Sequence, residues 1–66
     1  MNDFTLKAMW KSDLRKLLKP VSRDEAKKII NQKISELRKV DIDEAKNKQL
    51  VYKNEVEAVL VYFGYL

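Results

Sequence analysis

The chain of 66 residues contains no cysteine and no histidine. Without Cys no disulfide can form, and without either residue a structural zinc site loses its ordinary ligands. Catalysis loses ground for the same reason. A Ser or Thr nucleophile needs an adjacent base, and the usual base is missing. Glycine and proline occur once each. The lone Gly64 excludes a glycine-rich phosphate cradle. So little turn chemistry also argues against a sandwich or barrel, which needs a turn every ~8–12 residues. The longest stretch free of charge, Ala58–Leu66, is far short of the ~20 apolar residues of a membrane-spanning helix. No basic-then-apolar leader opens the sequence. These absences lead to the expectation of a soluble, cytoplasmic, non-enzymatic protein with no cofactor, no metal, no membrane partner and no small-molecule substrate.

What is present favours helices. Charged residues of both signs make up 36% of the chain, and Lys, Glu, Ala and Leu recur. The length allows a single domain, 1–66. A domain of this size buries only about 60% of the surface its unfolded chain exposes. With disulfides and zinc excluded, regular helix packing or self-association must supply the remaining stability.

The hydrophobic periodicity predicts an all-α, three-helix domain, with helices at approximately 3–19, 22–39 and 42–63 and the second and third forming an antiparallel hairpin. In the first, Leu6, Met9, Trp10, Leu14, Leu17 and Leu18 recur at helical spacing, and Pro20 closes the segment. Trp10 reads as a core anchor. The next two starts are marked by a repeat: VSRDEAK from Val21 and VDIDEAK from Val40. Ser22 with Glu25, and Asp41 with Glu44, fit the capping-box spacing, with Val21 and Val40 as hydrophobic staples. The repeat therefore reads as punctuation, and this role already occupies two of the three carboxylates (Asp41, Asp43 and Glu44) that might otherwise suggest a cation site. One continuous helix across Val40 is disfavoured. The stripe Ala26, Ile30, Ile34, Leu37 and Val40 is out of phase with Ala45, Tyr52, Val56, Val59 and Phe63. Gly64 suits a left-handed C-terminal cap. The segment VLVYFGYL has β-branched and aromatic content, but no other segment offers it a strand partner within the chain. Asp13 and Lys33 fall at or inside apolar arcs, and an ion pair across the helix interface is one way to accommodate both.

Two features bear on function. The third segment has apolar residues on two sides: beside its main stripe stand Leu50, Val51, Ala58, Val61 and Tyr62, with Tyr65 beyond. Three helices of this length cannot enclose one of their number, so these residues are expected to form a dimer or partner surface. The other feature is a basic stripe, Lys7, Lys11, Arg15 and Lys19 at four-residue spacing with Lys16 nearby. Residues 1–40 hold 11 Lys or Arg against 5 Asp or Glu, and the remainder 3 against 5. The leading expectation is a small regulatory or inhibitory protein, of the size of phage or plasmid accessory proteins, that binds a protein partner as a homodimer. The stripe then steers an acidic partner. The alternative is a nucleic-acid-binding regulator that places the stripe on phosphates.

Overall fold

A computed structural model describes residues 6–66. The elements in chain order are β1 (Met9–Trp10), α1 (Lys11–Leu17), α2 (Arg23–Arg38), α3 (Ile42–Asn47), β2 (Leu50–Val51) and α4 (Lys53–Tyr62). The protein is mostly helical, but the three-helix arrangement is replaced by four helices around a two-stranded ribbon.

The expected first helix begins late. Met9 and Trp10 are extended, and α1 starts only at Lys11; the expected start at Asp3 lies outside the described residues. Helix α1 ends before Pro20, as the proline requires. The start of α2 follows the sequence signal: Ser22 Oγ accepts the Glu25 backbone N–H at 3.2 Å. Its end falls where the shift in stripe phase demanded a break. Lys39 takes a left-handed conformation (φ 59°), and the Val40 N–H returns to the Ser35 carbonyl at 3.1 Å. This is the bond that closes a Schellman motif. The second copy of the repeat also begins a helix, α3, although Asp41 makes no side-chain cap bond there.

Helix α3 stops at Asn47, and the expectation of one helix over 42–63 fails here. Residues Leu50 and Val51 are extended and pair antiparallel with β1, in the register Met9↔Val51 and Trp10↔Leu50. A strand alternates its faces. Val51 is 0% exposed in the core and Met9 packs against that core, whereas Trp10 and Leu50 point outward. The chain then restarts as α4, where the Glu55 carboxylate accepts the Tyr52 backbone N–H at 2.9 Å. No Ser, Thr, Asp or Asn marks this cap. Helix α4 ends on Gly64 (φ 83°), with Tyr65 N–H bonded to the Leu60 carbonyl at 2.8 Å. The left-handed glycine is therefore where the sequence placed it.

Helices α2 and α4 run antiparallel: Arg38 meets Glu55 at one end, and Lys33 lies over the Tyr62 ring at the other. Between them and α1 the core gathers Leu14, Leu18, Ala26, Ile30, Ile34, Ala45, Val51, Val56, Val59 and Leu60. Two expected core residues are outside it. Trp10 is 56% exposed and Leu37 faces solvent. The expected Asp13–Lys33 pair does not form. Asp13 is exposed, and Lys33 pairs within its own helix with Glu36 at 3.5 Å. Among the described residues no helix is long and apolar enough to cross a membrane.

Candidate functional site

Helix α1 and the first half of α2 form a hairpin, and its two facing sides carry cations at one-turn spacing. Lys11 and Arg15 come from α1, and Lys19 follows in the turn. Arg23 and Lys27 come from α2, with Asn31 next in the series. Four helical residues rise about 6 Å, so each side is a ladder of charges one turn apart. Lys11 lies opposite Asn31, and Lys19 and Arg23 flank the turn. The ladders therefore run antiparallel along a common groove. A cavity of about 410 Å³ lies in it, lined by Lys11, Arg15, Arg23, Lys27, Lys46 and Gln49 among others. A second depression, lined by Arg15, Lys16, Lys19 and Arg23 with Ser12 and Val21, continues the groove toward the turn.

No carboxylate lines either cavity. The ion pairs among the described residues are Lys33–Glu36, Arg38–Glu55 and Lys48–Glu44, and none includes a groove cation. The groove is thus a concentration of positive charge between low-dielectric walls, an arrangement that focuses the field on an approaching anion.

Lys11 forms its floor. The residue is 6% exposed, and its ammonium donates to Asn31 Oδ1 at 2.6 Å, to the Ala45 carbonyl at 2.7 Å and to the Lys46 carbonyl at 3.3 Å. Those three bonds use all three donors of the group and tie α1 to α2 and α3. Burial pushes the Lys11 pKa below its ordinary value, and Arg38, Arg15 and Lys27 act in the same direction. An anion in the groove reverses the effect of the neighbouring cations, so the site gains most from a ligand that brings negative charge.

A second polar cluster holds the opposite end of α2. Glu55, 1% exposed, accepts from Arg38 Nε at 2.6 Å and Nη2 at 2.8 Å. Arg38 Nη2 also donates to the Leu50 carbonyl at 2.7 Å, and the guanidinium stacks 3.9 Å from the Tyr52 ring centroid. The bonds to Glu55 raise the Arg38 pKa further above its already high value. This bidentate pair fixes the ribbon and the start of α4 against α2, and its charges are satisfied internally.

The residues singled out from sequence divide accordingly. Lys7 is exposed ahead of β1; Arg15, Lys16 and Lys19 join the groove. Lys11 does not lie on a solvated face, because α1 starts at Lys11 and turns it inward. On the expected association surface, Val51 is withdrawn into the core and Leu50 lies on the ribbon, away from the helix face assigned to it. Ala58 is half-buried, and Val61, Tyr62 and Tyr65 are exposed, with the Tyr65 hydroxyl donating to the Lys19 carbonyl at 3.0 Å. Arg23, Lys27, Asn31, Lys46 and Gln49 were not anticipated. The spacing of Arg23, Lys27 and Asn31 is a readable signal; the arrival of Lys46 and Gln49 is not, because it depends on α3 folding back. Comparison with known protein families, with curated proteins and with solved structures finds no match to this chain.

Proposed function

We propose that the protein is a small, non-catalytic nucleic-acid-binding regulator that holds a phosphate backbone in the groove between α1 and α2. The observation that carries this reading is the ring of five cations (Lys11, Arg15, Arg23, Lys27 and Lys46) around a cavity that no acidic side chain lines. Cations one helical turn apart match a polyanion whose charges also recur, and a groove with two charged walls grips such a chain from both sides. The groove lacks a dense set of Arg, Asn and Gln aimed at base edges, so phosphate contact dominates and sequence preference is weak.

The test is fluorescence anisotropy with a labelled oligonucleotide of about 12 nucleotides across a salt series. If about four phosphates are neutralised, log K falls against log salt with a slope of about −3 for a single strand. Arg15→Glu and Lys27→Glu are expected to weaken binding strongly and flatten that slope. Lys53→Glu makes the same change in net charge away from the groove and is expected to have a small effect. Absence of binding at low salt, or equal losses in all three variants, overturns the proposal.

A second reading, binding of a protein partner or a second copy, is supported by the strip along α2 and α4 where Leu37, Val61 and Tyr62 are exposed beside Ala58. It predicts concentration-dependent sedimentation that Val61→Glu abolishes.

A further inference from the structure

The groove ends at a backbone bond: Lys11 N–H donates to the Gln49 carbonyl at 2.8 Å. Both residues line the cavity. The adjoining residue of each chain segment is Trp10 on one side and Leu50 on the other, and these two face each other across the ribbon. Consecutive Cα atoms are 3.8 Å apart, so this pair stands within a nucleotide's length of the last groove cations. Strand alternation places Tyr52 on the same outer side as Leu50. Trp10, Leu50 and Tyr52 are all exposed, although each is a large apolar or aromatic residue. The indole has no packing role that accounts for its place, since Met9 and Val51 fill the inner face of the ribbon.

We infer that Trp10 is a stacking platform for an unpaired base, and that the ligand of the adjoining groove is single-stranded nucleic acid rather than duplex. This rests on the nucleic-acid reading of the groove and specifies its substrate class. The two halves of the surface suit the two halves of a nucleotide: cations recur along the groove for phosphates, and a flat ring waits at its end for a base face. Stacking on an aromatic ring accepts any base, which agrees with a site that has few groups for reading base edges. A duplex keeps its base faces stacked internally and has none to offer the indole. Tyr52, with Arg38 stacked on its ring, continues the apolar surface beyond Trp10 along the same exit.

Trp10 is the one tryptophan of the chain, so its emission reports on this site directly. Titration with a short oligothymidylate is expected to quench and shift the emission, whereas inorganic polyphosphate of similar length occupies the groove without doing so. Trp10→Ala is expected to lower single-strand affinity about tenfold or more while leaving the salt slope and duplex affinity unchanged. Trp10→Phe, which keeps a ring, restores most of the loss. Circular dichroism confirms that both variants retain their helices. Salt-dependent oligonucleotide binding with unmoved Trp10 emission, and equal affinity in Trp10→Ala, overturns the stacking assignment and leaves the groove reading standing. Failure of every nucleic acid to bind removes the groove reading first. A shift in emission with protein concentration alone assigns the indole to a contact between copies and overturns the inference.

Discussion

Replacing Arg38 with Met isolates what the buried ion pair contributes. In the native protein the Glu55 carboxylate has three partners: two guanidinium nitrogens and the Tyr52 N–H. Arg38→Met removes two of them and leaves a carboxylate that is 1% exposed with a single hydrogen bond. Removing one partner of a buried pair costs about 3–5 kcal/mol. The same substitution frees the Leu50 carbonyl, which Arg38 also holds, but that group is near the surface and water replaces the donor. The reverse change, Glu55→Leu, is milder. Arg38 keeps the Leu50 carbonyl and the Tyr52 ring, and its side chain is already 16% exposed, so its charge reaches water at a cost of about 2 kcal/mol. The double variant Arg38→Met with Glu55→Leu leaves no buried charge and is expected to be closer to the parent than Arg38→Met alone. Urea denaturation followed by far-ultraviolet circular dichroism gives the three free energies. In a domain this small each 1 kcal/mol shifts the melting temperature by about 4–8 °C, so Arg38→Met is expected to melt at least about 12 °C below the parent. A loss under about 1 kcal/mol for Arg38→Met, or strictly additive effects in the double variant, refutes the reasoning: the pair would then behave as an exposed one.

Two further outcomes follow from the same geometry. The two copies of the repeat are expected to differ in stability effect: Ser22→Ala removes a formed cap bond and costs about 1 kcal/mol. Asp41→Ala removes a residue with no side-chain cap bond and costs only a few tenths, about 0.3 kcal/mol; equal losses in chemical denaturation disprove the distinction. Oligonucleotide affinity is expected to fall as pH rises toward 10.5, the ordinary lysine value. Burial and neighbouring cations lower the Lys11 pKa in the free protein, and a bound anion raises it. Binding therefore takes up a proton in the window below that value, and higher pH opposes it. Isothermal titration in buffers of different ionisation enthalpy measures that uptake, and zero uptake there shows that Lys11 stays charged throughout.

The sequence alone determined the local events. The capping pair Ser22 and Glu25, the break near Val40, the stop before Pro20 and the left-handed Gly64 each depend on residues within one or two turns, and each is where its local chemistry puts it. The sequence also placed Arg15, Lys16 and Lys19 on one basic stripe, because helical spacing is a local property. The Arg38–Glu55 pair left a trace: Glu55 shares an azimuth with Tyr52 and Val59, and a charge among apolar positions calls for a partner.

The tertiary structure decided what local chemistry leaves open. Residues 48–52 tolerate either helix or strand. Pairing with Met9 and Trp10 tips them to strand, since a ribbon forms only when its two halves meet across some 40 intervening residues. That single choice took Val51 out of the expected surface and into the core. It also exposed Trp10 and ended the helical stripe that would have kept Lys11 in solvent. With Lys11 turned inward, α3 folded back over it, and Lys46 and Gln49 arrived at the wall of a groove that Arg15, Arg23 and Lys27 already lined. Periodicity assigns a residue to a face of its own helix. Which faces confront one another, and which charges are left without a partner, depends on packing across the whole chain.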